Sequence, residues 1–280
     1  MSNRGGGFRD RKRRDQGGSN MSGGEKKKLL IDENNPVVQE FRKYAVIMNA
    51  KQDKYERLVK ISRDITIESK RVIFLLHSLL RSDTQKVLEE AETRLNALMQ
   101  TQFKAIKAEL KGEDLYQYLR SFSAGLQEFI EAYTFLYYLK SKDLIGWEQV
   151  ENKLEELCGP EAEESQVKLL TPTEFVLGVG DLSGELMRYA IGSVAAGTDT
   201  DDCVYATNTV RDLYVAMLES GAIRIREVAR KFAILRQSLM KMERTVYTVK
   251  VRGSEMPRHV IAHVVNECEQ GDNDIDEGFF

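Results

Sequence analysis

Only four prolines interrupt 280 residues: Pro36, Pro160, Pro172 and Pro257. Such a scarcity of breakers favours long helices. Cysteine is as rare. Cys158, Cys203 and Cys268 are odd in number and widely spaced. That argues against a disulfide framework and a CxxC zinc site, and it fits a reducing compartment. Three histidines, His77, His259 and His263, leave little for zinc chemistry. No run of ~18 apolar residues is present, which excludes a transmembrane helix. The basic, glycine-rich start has no apolar segment behind it, so a secretory signal is not expected. GxxxxGK[ST], HExxH and Glu-x-x-His patterns are absent as well. The first two absences remove the common phosphate-loop and zinc-protease readings, and the third disfavours a di-iron bundle.

What remains is a chain of 42% hydrophobic and 30% charged residues, enough to bury a real core. The net charge of −3 conceals three regions. Residues 1–30 carry nine Lys or Arg against three acids, and residues 266–280 carry six acids and no Lys or Arg. The intervening part is close to neutral. Residues 1–34 are therefore expected to form a disordered basic tail, 35–258 a helical domain, and 259–280 an acidic tail. The tail clusters Arg9–Arg14 and Lys26–Lys28 read either as a nuclear import signal or nucleic-acid tether, or as an uninformative soluble tail.

The body is predicted to be all-α with seven helices. Pro36 opens the first, which runs without Pro or Gly to about Leu80. Leu58, Ile61, Ile65, Val72 and Leu76 make a narrow apolar stripe along it, as in a helix packed lengthwise on others. Its basic residues Lys54, Arg57, Lys60, Arg63, Lys70 and Arg71 share their arc with acids. They are read as a self-paired, solvated face, with Asp53–Arg57 and Glu56–Lys60 at favourable i,i+4 spacing, rather than as a nucleic-acid groove. The others are expected at about 84–111, 114–140, 147–157, from Thr171, 201–220 and 223–250. Thr171, Pro172 and Glu174 form an N-cap and capping-box pattern. GPEAEESQ reads as an acidic loop.

Two pairs of acids carry the chemistry. Glu128 and Glu131 lie three apart in GLQEFIEA, among Leu126, Phe129, Ile130 and Tyr133. Asp181 and Glu185 lie four apart in LGVGDLSGEL, among Leu177, Val179, Leu182 and Leu186. Each pair shares a helix face. Anions in apolar surroundings demand protonation, an arginine or a divalent cation. Four carboxylates on facing helices make an all-oxygen donor set suited to Mg²⁺ or Mn²⁺. The bland alternative is a wet groove with structural acids. Gly178, Gly180 and Gly184 suggest that a backbone or ligand passes close by. Arg188, on the face of Asp181, could neutralise the acids or hold a phosphate. Ser183 lies in a helical pattern and is not a nucleophile elbow. His77, in FLLHSLL, is expected in the core or at a helix end. The Tyr133–Tyr138 stretch is read as core or interface, not a base-stacking platform.

DKYERLVKISRDITIESKRVIFLLH (53–77), GLQEFIEA (125–132), LGVGDLSGELMR (177–188) and VKVRGSEMP (249–257) together resemble the TRAX (translin-associated factor X) branch of the translin family. The resemblance implies a translin-type bundle of long antiparallel helices. It implies translin as partner in a hollow hetero-oligomer, usually octameric, and a Mg²⁺-dependent endoribonuclease activity. The RNAs implied are short and single-stranded or nicked, such as passenger strands in small-RNA loading, with small duplexes and DNA also possible. It places the acidic residues at Glu128, Glu131, Asp181 and Glu185. On this reading Glu131, Asp181 and Glu185 hold the metal, with Mn²⁺ a possible substitute. Glu128 orients or deprotonates the attacking water or completes the metal shell, and Arg188 contacts phosphate. A cytoplasmic and nuclear protein without a membrane partner is expected. The competing expectation is a non-catalytic adaptor that binds translin and single-stranded nucleic acid.

Overall fold

The computed structural model describes residues 34–80, 82–158, 167–196 and 200–252. The two tails and the loop at 159–166, expected from sequence to be disordered or acidic surface, lie outside the described residues. So do Cys268, His259, His263 and most of the VKVRGSEMP segment.

Seven helices make up the described chain, and it contains no strand among those residues. They are α1 (Pro36–His77), α2 (Thr84–Leu98, continuing through a π-helical turn Met99–Phe103 into Lys104–Glu109), α3 (Leu115–Ser141), α4 (Trp147–Cys158), α5 (Pro172–Ala195), α6 (Thr200–Glu219) and α7 (Arg226–Arg252). Short 3₁₀ turns at Ser78–Leu80 and Ala222–Arg224 end α1 and precede α7. None of the described helices is long and apolar enough to cross a membrane.

Local chemistry sets the boundaries. Asp114 caps α3 by accepting from the Tyr116 N–H at 3.1 Å. Thr171 Oγ1 accepts from the Glu174 N–H at 3.3 Å, and Pro172 follows it in the first turn of α5. The capping box is not the destination of the Glu174 side chain. Its Oε2 accepts from Ser123 Oγ at 2.8 Å and Gln127 Nε2 at 2.6 Å, tying α5 to α3. Gly112, at φ +75°, turns the chain after α2, and Gly221, at φ +67°, turns it after α6. Both lie in the left-handed region where a side chain would be strained.

The π turn in α2 has no sequence signature. It buries Met99 and Phe103 and sets the Phe103 ring edge-on to Phe129 with centroids 4.7 Å apart. The Met99 carbonyl accepts from the Cys158 thiol at 3.3 Å. One extra residue in the turn lets both large side chains face the core.

The chain divides into two units, Met1–Met48 and Asn49–Phe280. In the first, the described part of α1 exposes Val37, Phe41, Tyr44, Val46, Ile47 and Met48. The second holds the core. There the stripe of α1 is buried as its spacing predicts, with Leu58, Ile65, Val72 and Leu76 fully enclosed. The charged face of α1 pairs mainly outward, although Arg71 also reaches Glu68 along the helix at 3.4 Å. Arg57 forks onto Glu109 at 2.8 and 2.9 Å, Lys54 reaches Glu113 at 2.6 Å, and Glu68 accepts from Arg94 at 2.6 Å. Glu56 accepts from Gln52 instead of pairing with Lys60. Phe135 and Tyr138 are core residues, in line with the structural reading of that aromatic stretch.

α5 is the central helix, packed on α3, α6 and α7. Gly178 makes this possible. A Cβ there would stand 2.7 Å from Ile130 Cβ and Cγ2 and 2.9 Å from the Gln127 carbonyl. Gly178→Ala is therefore expected to lower stability by about 1–3 kcal/mol, the usual cost of overpacking. An unchanged chemical-denaturation midpoint would contradict the close approach of α5 to α3.

Candidate active site

The close packing of α3, α5 and α7, joined by the end of α1, gathers the four predicted carboxylates. Glu131 is 8% exposed, on the buried side of α3. Burial pushes its carboxyl up to about 8, and the charges of Asp181, Glu128 and Glu185 push in the same direction. Lys231 opposes them. The shift records a concentration of negative charge in a poorly solvated place.

The other three acids each meet a basic or imidazole group. Glu128 Oε1 lies 3.1 Å from Lys70 Nζ. That contact raises the Lys70 ammonium above its ordinary range, with Glu131 and Asp181 adding to the pull. Asp181 receives Lys231 Nζ on both oxygens, at 2.5 Å each. Glu185 Oε2 meets His77 Nε2 in a short contact. Arg188 Nη1 stands 3.9 Å from the same Glu185 oxygen, with most of its side chain in solvent. Glu131 has no ion-pair partner among the described residues.

Sequence reasoning brought the acids and Arg188 to this place but missed three of the basic and imidazole groups. His77 is at the helix end, as expected, but it also serves the cluster. Lys70 lay in a face read as self-paired, and nothing in its spacing marks it out. Lys231 did carry a signal. It sits on α7 between Val228, Phe232 and Leu235, all buried, so a lysine on that stripe calls for an acidic partner from another helix. Gly180 helps place it, since a Cβ at 180 would be 3.0 Å from Lys231 Cβ. Gly184 differs from Gly178 and Gly180 in having no neighbour against it among the described residues. Nothing lies within 4 Å of a Cβ built there, so α5 borders open space at that one position, while Leu182 and Ser183 beside it are buried. Ser183 is fully buried and donates to the Gly180 carbonyl at 2.8 Å, which accounts for it structurally.

The donor chemistry suits a hard divalent cation, since all four acids offer oxygen. As the side chains stand, no three His, Cys, Asp or Glu groups among the described residues converge to hold a metal. Lysine ammonium groups occupy two of the carboxylates. The buried and unpaired Glu131, raised to about 8 first by burial and then by its acidic neighbours, is the observation that fits a cation at this place. Ionising Glu131 would add a fourth negative charge to the three that Lys70, Lys231 and Arg188 answer.

A bundle of seven long helices with no strand among the described residues defines a fold class, and the comparisons with known proteins agree with that class. The chain belongs to the Translin family, whose model matches residues 53–253. It is similar to Translin-associated protein X of Mus musculus, at 40% identity over 246 residues that cover 82% of this chain and 84% of that protein. The Rattus norvegicus counterpart is 38% identical over the same shares. Among solved structures, the crystal structure of AfC3PO superposes with a TM-score of 0.55 at 23% identity, covering 77% of this chain and 97% of that one. That likeness concerns the fold.

Proposed function

We propose that this chain is the catalytic subunit of a complex with translin that cuts short single-stranded or nicked RNA, such as a passenger strand, in a Mg²⁺-dependent reaction. The observation that carries the proposal is Glu131, buried and ringed by Asp181, Glu128 and Glu185. A structural acid at such a place is normally matched by a cation or replaced by an apolar residue. The names of the relatives, which refer to association with translin, support the choice of partner.

Glu131, Asp181 and Glu185 would hold Mg²⁺, or Mn²⁺ in its place. When bound, the ion lowers the pKa of a coordinated water and offsets charge on the phosphate. The chain's own residues divide the remaining work. Glu128 accepts the proton of the attacking water on a carboxylate oxygen, and Lys70 fixes the orientation of that carboxylate. His77 Nε2 holds Glu185 in place. Arg188, mostly in solvent at the edge of the cluster, offers a guanidinium fork to a phosphate. With all four acids ionised they outnumber Lys70, Lys231 and Arg188, and surplus negative charge repels a polyanion, so RNA binding as well as cleavage is expected to require the divalent ion. The basic N-terminal segment, with nuclear as well as cytoplasmic residence, belongs to the same proposal.

One observation favours an adaptor instead: Lys70 and Lys231 already hold Glu128 and Asp181. Cleavage of a labelled single-stranded RNA by the chain co-purified with translin separates the two. Mg²⁺-dependent cleavage that chelator removes supports the nuclease. An intact complex that cuts none of several RNAs with either Mg²⁺ or Mn²⁺ supports the adaptor.

A further inference from the structure

Next to the acidic cluster, between the end of α1 and the second half of α5, lies a cavity of about 450 Å³. Phe74, His77, Arg188, Gly192 and Ala195 are among the residues that line it. Its volume lies within the ~300–1,000 Å³ range of small-molecule pockets. Three features give it a chemical character. Phe74 is 75% exposed, an aromatic face presented to solvent with no role in the core. Arg188 supplies a cation whose side chain is 62% exposed. The α5 wall is built from the small residues Gly192 and Ala195, with Leu80 close against Gly192, 3.2 Å from where a Cβ would stand.

The cavity is continuous with the acids through two residues. His77 and Arg188 line it, and both reach Glu185 Oε2. Phe74 is three residues before His77, a rise of about 4.5 Å along the helix. An aromatic surface, a guanidinium and the acidic cluster therefore follow one another over a short path. Aromatic faces stack bases of any identity, and an arginine fork suits phosphate oxygens. We propose that this cavity seats one nucleotide of a single strand beside the phosphate to be cut, its base on Phe74 and its phosphate on Arg188. The proposal rests on the nuclease reading of the neighbouring acids, and it adds a base-stacking subsite with Phe74 as a substrate-positioning residue.

The test uses the complex with translin carrying Glu128→Gln, which keeps the three acids proposed to hold the ion and removes the proton acceptor, so that bound RNA is not consumed. The probe is a short single-stranded RNA containing 2-aminopurine, whose emission falls when the base stacks. With Phe74 present, binding in Mg²⁺ is expected to quench the probe. Adding Phe74→Ala is expected to weaken binding about 10-fold, within the range of one lost base–aromatic contact, and to remove the quenching. Phe74→Tyr is expected to keep both. In the complex with Glu128 intact, Phe74→Ala is expected to raise KM more than it lowers kcat.

Unchanged affinity and quenching in Phe74→Ala would overturn the subsite, as would a complex with Phe74 that binds no probe. Loss of assembly with translin in Phe74→Ala would also overturn it, because Phe74 would then be covered by the partner. If the probe behaves as expected but the complex with Glu128 intact cuts no RNA, the subsite stands and the nuclease reading fails.

Discussion

Asp181→Asn is expected to lower Mg²⁺-dependent RNA cleavage by at least about 100-fold while leaving assembly with translin unchanged. Losing a group that merely orients a metal's ligand costs about 10–100-fold, and losing a ligand costs more. Asn keeps the shape of Asp but neither its charge nor its second anionic oxygen. Lys231, which now bonds both oxygens of Asp181, would lose its ion pair. Its side chain is 28% exposed, so water can solvate the ammonium and the stability cost is expected to stay near ~1 kcal/mol. Cleavage timed on the intact complex, with assembly checked by size, measures both halves of the prediction. Full activity in the variant would remove Asp181 from the chemistry. Disassembly would make it a structural acid.

The second large effect concerns Glu131 and pH. Its carboxyl is raised from 4.5 to about 8 in the fold, first by burial and then by Asp181, Glu128 and Glu185. Between those values the folded chain holds a proton that the unfolded chain has released. Stability in chelator is therefore greatest below about pH 4.5 for this group and is lost as pH rises through about 8. The displacement corresponds to a loss on the order of 3–5 kcal/mol. Glu131→Gln removes the titration, so thermal melts of the variant in chelator are expected to lack this fall and to lie above those of the unmodified protein at pH 8. Divalent ion reverses the order. It requires the ionised carboxylate, so Mg²⁺ is expected to stabilise the unmodified protein increasingly toward pH 8 and the variant much less. Parallel melting curves for the two proteins across pH 5–9 would contradict this account of Glu131.

Much of the fold was legible because its signals are local. The stripe of Leu58, Ile65, Val72 and Leu76 specified which side of α1 is buried, and each of these is fully enclosed. Pro172 with Thr171 marked the start of α5, and the glycines at 112 and 221 marked turns. These are effects of backbone geometry and periodicity, which act within a few residues. The π turn at Met99–Phe103 was not legible. It answers to a packing demand from Phe129 and a thiol from α4, both distant in sequence.

The candidate site divides along the same line. Spacing alone placed Glu128 with Glu131, and Asp181 with Glu185, on common helix faces, and it marked their surroundings as apolar. Sequence thus determined an all-helical member of the translin family with two acidic pairs embedded in apolar helix faces. It also assigned Arg57 and Glu56 partners along α1, whereas the fold sets Arg57 on Glu109 and gives Glu56 the amide of Gln52. The favourable i,i+4 partners on α1 were passed over for Glu109, Glu113 and Arg94 on or near α2, since contacts between helices compete with weak pairs along a single helix. Only the tertiary structure decided that the two acidic pairs meet, because that depends on Gly178 letting α5 settle against Ile130 and the Gln127 carbonyl of α3. Only the tertiary structure brought Lys231, Lys70 and His77 to the same carboxylates. A charge buried by one helix must be answered from another, and the answering residue can stand anywhere along the chain.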